Sequence, residues 1–126
     1  MTSQRLHHCQ IDLGGRSPRS VAPVYSDLAD LRMANLQGTI RFYVTNMLDT
    51  VVTLMPFGSE FEQPSDERQM YLMEGHVHQV PAREKASVLV RLADSGFDWM
   101  GLKGTPVNPP TGGVWQVKAT YQGWRG

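Results

Sequence analysis

The sequence predicts an all-β domain, a sandwich or barrel of short antiparallel strands. Three observations carry that prediction. Apolar and polar residues alternate with a period of two in residues 39–45 and again in 114–121. Turn-forming residues separate successive apolar runs at short intervals. A polar corner, Thr45-Asn46-Met47-Leu48-Asp49, interrupts the long apolar run 40–57.

In chain order, residues 13–24 (LGGRSPRSVAPV) are rich in Gly, Pro and Ser and read as part of an extended N-terminal arm covering residues 1–24. Residues 25–126 form the folded domain. Within it, Ser26 is a helix N-cap candidate, Leu28 and Leu31 have helical spacing and Gly38 closes the segment, so at most one short helix is expected over 26–37, with SDLADL leading straight into a strand as the alternative. Ile40, Phe42 and Val44 then alternate with Thr39, Arg41, Tyr43 and Thr45 as a half-buried strand, and Val51 to Met55 reads as a second. The polar patch is the corner between them, because Asn and Asp side chains cap turns by bonding their own backbone. Periodicity leaves open whether that corner joins paired neighbours or crosses between sheets.

Further strands are expected at Gln69–Met73 and Gly75–Val80. After the Pro81-Ala82-Arg83-Glu84 turn, Ala86, Val88, Val90 and Leu92 share a face. Residues 103–113 (KGTPVNPPTGG) read as a loop, since proline lacks the ladder donor. The last strand is Val114 to Tyr121, with Trp115, Val117, Ala119 and Tyr121 on one face.

The order GTIRFYVTN, DTVVTLMPF, HVHQVPAREKASVLVRL and GGVWQVKATYQG, spanning residues 38–123, resembles the immunoglobulin-like β-sandwich of major sperm protein and the periplasmic pilus chaperones. The resemblance implies an immunoglobulin-like antiparallel sandwich and carries over no functional residue. The Cys and Trp pairing of antibody domains is absent, since Cys9 is the only cysteine.

Composition bounds function. A chain of 126 residues with 40% hydrophobic and 19% charged residues and zero formal net charge is a single domain, not a polyanion-coating protein. Near-zero charge favours association and life within an assembly. The N-terminus lacks the apolar core of a signal peptide and no apolar stretch is long enough for a membrane span, so a soluble protein of the cytoplasm or a virion is expected.

Candidate chemistry is sparse. His7 and Cys9, two apart on a strand, and His76 and His78, likewise two apart, match a tetrahedral zinc site in type and number if the pairs converge. GHVHQVPARE resembles the first metal motif of the cupins, but Glu84 lies too far from His78 and no second motif follows. Neither a nucleophile elbow nor a nucleotide-binding glycine pattern is present. The carboxylates of residues 60–74 read as a solvated loop. Arg5, Arg16 and Arg19 make the arm basic without the aromatics of a single-strand nucleic-acid binder, and Trp99 and Trp124 lie in glycine-flanked segments suited to interface contacts.

The expectation is therefore a non-enzymatic structural module without a cofactor. Arg5, Arg16, Arg19, Trp99 and Trp124 are its candidate interface to other protein subunits of a homo- or hetero-oligomer, with a capsid decoration, cement or tail component of a virion foremost. The alternatives are a metal-binding protein or small metal-dependent enzyme using His7, Cys9, His76 and His78, and a peptide-capturing chaperone or adaptor that uses a free sheet edge.

Overall fold

Alternation in residues 39–45 has its structural counterpart in strand β4 (Thr39–Asn46): Ile40, Phe42 and Val44 are buried, whereas Thr39 and Tyr43 are exposed. The computed structural model describes residues 5–125. Its other strands are β1 (Arg5–Arg16), β2 (Val24–Tyr25), β3 (Ala29–Asp30), β5 (Val52–Ser59), β6 (Tyr71–Leu72), β7 (His78–Val80), β8 (Lys85–Arg91), β9 (Trp99–Pro106) and β10 (Trp115–Arg125). Two antiparallel sheets pack face to face as a β-sandwich. One has the order β1-β10-β4-β8, and the other β2-β9-β5-β6, with β3 on β9 and β7 on β5.

The inner faces supply the core. Phe42, Val88, Val90, Trp115, Val117 and Ala119 of the first sheet meet Val52, Leu54, Met100 and Leu102 of the second, all of them buried. Burial of each such large side chain contributes roughly 1.5–3 kcal/mol. The polar corner crosses from one sheet to the other. Asn46 is wholly buried there, and its side-chain nitrogen lies 3.0 Å from the Thr50 carbonyl, 3.3 Å from that of Val80 and 3.0 Å from that of Pro81. Its side-chain oxygen accepts the Leu48 amide at 3.1 Å. One carboxamide thus closes the β4–β5 corner and ties it to the end of β7.

Four expectations are corrected. The helix over 26–37 does not form. The Ser26 amide donates to the Leu102 carbonyl, the Leu102 amide returns a bond to Ser26 Oγ, and β3 pairs with Met100 and Trp99. Strand β9 has backbone groups to satisfy on that side, and the ladder outcompetes a weak local helical pattern. The extended arm expected over residues 1–24 is not separate from the domain, because Arg5–Arg16 pairs along β10; residues 1–4 of that expectation lie outside the described residues. The loop expected at 103–113 begins only after Pro106, which ends β9 opposite Val52. Finally, the strands expected at 69–73 and 75–80 are cut short by one-turn 3-10 helices at Glu67–Gln69 and Glu74–His76.

Candidate interaction surfaces

Strand β1 is an edge of the first sheet, with β10 on one side and no strand on the other among the described residues. Its regular part ends at a bulge between Asp12 and Gly15. There Gly14 takes a φ of +86°, the left-handed conformation that glycine tolerates, and donates its amide to Asp12 Oδ1 at 2.9 Å. The Leu13 carbonyl accepts the Asp27 amide at 2.9 Å, which joins the bulge to the second sheet. At the far end, Leu6 and Trp124 stand directly opposite one another, 43% and 37% exposed. Together they form an apolar pair on the outer face, beside the open edge.

Residues 60–70 cross the outer face of the second sheet and enclose a groove of about 770 Å³ with Arg16 and the strand end at Tyr25–Leu28. Ser59 Oγ donates to the Gln69 carbonyl at 2.7 Å and accepts the Phe61 amide at 3.0 Å, pinning the start of that crossing. The groove is acidic, and of its four carboxylates, Asp27, Glu62, Asp66 and Glu67, all but Glu62 have partners among the described residues. Asp27 pairs with Arg16 at 2.8 Å and Asp66 with Arg68 at 2.8 Å. Glu67 accepts both the Tyr25 hydroxyl and the Lys103 ammonium. Lys103 first and Tyr25 second lower the Glu67 pKa, while burial, then the hydrogen bond and charge of Glu67, push Tyr25 up to about 12. This cluster fastens the crossing segment to β2 and β9. Sequence alone missed it, because Tyr25, Glu67 and Lys103 are far apart along the chain and only the β2–β9 register sets Tyr25 beside Lys103.

The proposed metal quartet does not assemble. His7 and Cys9 share the inward side of β1 in the first sheet, opposite Gly123 and Tyr121. His78 lies on β7 in the second sheet, opposite Leu54, and His76 belongs to a 3-10 turn, so these two do not share a strand face. Among the described residues no three His, Cys, Asp or Glu side chains come together as a metal site.

The other candidates are scattered. Arg5 lies in β1 opposite Arg125, and its side chain is outside the described residues. Arg16 lines the groove, bound to Asp27. Arg19 is exposed and bonds the Pro18 carbonyl at 2.9 Å. Trp99 is half-buried, with the Arg32 guanidinium 5.0 Å from its ring centre, and Arg32 is itself held on Asp30 at 2.7 Å. That guanidinium lowers the Asp30 pKa. Arg16 and Trp124 do flank β1, one at each end.

No protein-family model matches the chain, and no curated protein sequence matches it. Solved structures do share its fold. The PBSX exported protein XepA superposes with a TM-score of 0.63 over 90% of this chain at 11% identity. This chain covers 36% of the XepA chain. The SPBc2 prophage-derived protein YomS gives 0.52 at 8% identity, covering 97% of this chain and 98% of its own. A chain of Triatoma virus gives 0.50 at 8% identity, covering 93% and 63%. At such identities the likeness establishes the β-sandwich and nothing about activity. Among the described residues no helix is long and apolar enough to cross a membrane.

Proposed function

We propose that this chain is a non-enzymatic structural module that docks on neighbouring subunits of a larger assembly, and that the assembly is a virion or virion-like particle. The open edge of β1 is the observation that carries the reading. A long edge strand is a template for pairing with another chain, and proteins that gain nothing from it blunt it with lysine, proline or a covering segment. Between Leu6 and Gly15 this edge has no Lys, Arg or Pro. Its bulge limits the open segment at one end only.

Two further points support the reading. Leu6 and Trp124 add exposed apolar area next to the edge, and tryptophan is enriched where binding energy concentrates. The fold is one that phage-derived and viral proteins use, as XepA, YomS and the Triatoma virus chain illustrate. The metal-dependent alternative loses its basis, since His7 and Cys9 lie in a different sheet from His78.

The test is the stoichiometry of this chain in particles isolated from cells that express it with its neighbouring genes. Quantitative mass spectrometry of gradient-purified particles should find it at a fixed ratio to the other particle proteins. Recovery only as free protein, with none in the particle fraction, sinks the proposal.

A further inference from the structure

We infer that the partner of the β1 edge is a second copy of this chain, paired antiparallel with the first about a two-fold axis at Cys9. The inference rests on the assembly reading above and specifies its contact.

The Met47 amide donates to the Val114 carbonyl, Trp124 donates to Met33 and Asn35 donates to Gln122. Even-numbered residues of β10 therefore direct their backbone groups away from β1, towards β4 and the segment before it. In an antiparallel ladder such directions alternate along the strand, so the odd-numbered residues of β10 bond β1. By the observed register these bonds run between Tyr121 and Cys9 and between Ala119 and Ile11. The N–H and C=O groups of Leu6, His8, Gln10 and Asp12 consequently point to the open side. Beyond Asp12 the bulge and the Leu13–Asp27 bond end the regular edge.

The available segment is thus Leu6–Asp12, and Cys9 is its midpoint. Antiparallel pairing with a copy, centred on Cys9, sets Leu6 opposite Asp12 and His8 opposite Gln10, twice each. Every outward backbone group of the segment then finds a partner in the other copy. Opposed residues have the same parity, so both copies keep their buried faces on the same side. The two first sheets continue as one.

Charge favours a copy as occupant. Between Leu6 and Gly15 the only formal charge is Asp12. In this register it falls diagonally next to His8 of the other copy, within reach for a cross-strand contact. The opposite edge of the same sheet behaves differently. Strand β8 carries Lys85 and Arg91 at its two ends, and self-pairing about Val88 would oppose these like charges twice. One edge is self-complementary and the other self-repelling, which gives a closed dimer rather than an open filament. A ladder of this length is a small interface, so association in the micromolar range is expected.

The experiment uses the full chain and its single native thiol. Sedimentation across a concentration series should show a monomer–dimer equilibrium, and mild copper–phenanthroline oxidation should link the dimer through Cys9. Gln10→Pro removes an outward donor and leaves the β10 ladder intact. It is expected to weaken dimerisation tenfold or more with an unchanged far-ultraviolet spectrum. A second probe does not depend on that variant folding: shifting the thiol with Cys9→Ser and His8→Cys places it opposite Gln10, and cross-linking should slow at least tenfold. A monomer at several hundred micromolar, or a dimer that both changes leave unaltered, overturns the inference. If the monomer nevertheless enters particles at fixed stoichiometry, the assembly reading stands and only self-pairing fails; absence from particles removes the assembly reading itself.

Discussion

The Asn46 carboxamide donates to the Pro81 carbonyl at 3.0 Å, joining positions 35 residues apart at one end of the sandwich. The Thr50 and Val80 carbonyls lie within reach of the same nitrogen. One side-chain amide thus serves backbone carbonyls from the β4–β5 corner and from the end of β7, although the Pro81 carbonyl also accepts the Glu84 amide at 3.3 Å.

Asn46→Ala should cost about 2–4 kcal/mol, because buried carbonyls lose their donor and a small void is left. Asn46→Asp should cost more at pH 7, since a buried carboxylate replaces a donor among carbonyl oxygens. The folded-state pKa of the introduced carboxyl would be raised above the unfolded value, so the deficit should shrink as pH falls and the group protonates. Thermal unfolding at pH 7 and pH 4 checks this. A deficit in the Asn46→Asp variant that is independent of pH would show that the corner is not closed by this donor.

Gly104 and Trp115 form a second coupled pair. A Cβ at position 104 would lie 2.8 Å from Trp115 Cζ2, and the indole is fully buried. Gly104→Ala should therefore cost about 1–3 kcal/mol through overpacking. Trp115 Nε1 also has no hydrogen-bond partner among the described residues. Trp115→Phe removes the offending ring atoms and the unpaired donor together, so the Gly104→Ala penalty should shrink in that background by about 1 kcal/mol. Urea denaturation of the four proteins measures the coupling, and strictly additive penalties would rule out the contact.

These residues also show why part of the fold was legible in sequence and part was not. Strands β4, β8 and β10 each have one buried face, so alternation exposes them. Strand β9 is hidden because its glycines and Pro106 read as loop residues. Yet Gly104 makes room for Trp115, and a Cβ at Gly101 would lie 2.9 Å from the Phe57 ring and 3.0 Å from Ser26 Oγ. The features that disguise the strand are the ones its packing requires. The segment 26–37 misled for the opposite reason: its local pattern is helical, while its partners on β9 come from more than 60 residues downstream. The open edge of β1 was illegible too, because pairing on one side only is a property of topology.

Tyr25 links pH to the crossing segment. Burial first, and Glu67 second, raise its pKa from 10.0 to about 12. A folded-state pKa above the unfolded one stabilises below the unfolded value, so this contribution is full below pH 10 and fades as pH rises towards 12. Tyr25 should titrate late by absorbance, as should Tyr121, whose pKa burial also raises, and Glu67→Gln should lower the Tyr25 midpoint while leaving the remaining desolvation shift. A Tyr25 midpoint unchanged by that substitution would exclude the charged Glu67 carboxylate as a cause.

Trp99 and Trp124 separate packing from contact. Trp99 is half-buried beneath Arg32, which is oriented by Asp30. Trp99→Ala should cost about 2–3 kcal/mol, and Arg32→Ala roughly 0.5–1 kcal/mol of that through lost stacking. Trp124 is exposed opposite Leu6, beside the edge that the second copy is expected to occupy. Its removal should cost about 1–2 kcal/mol of unfolding free energy, less than removal of Trp99, because 37% of the residue stays exposed after folding. Self-association should weaken several-fold, since the ring lies at the rim of the paired strands, where apolar area is removed from water only on pairing. Denaturation and sedimentation on the two alanine variants provide both readouts. Equal losses of stability would place Trp124 with Trp99 as a packing residue, whereas a Trp124→Ala protein that is fully stable and dimerises as well as the wild type would remove it from the contact.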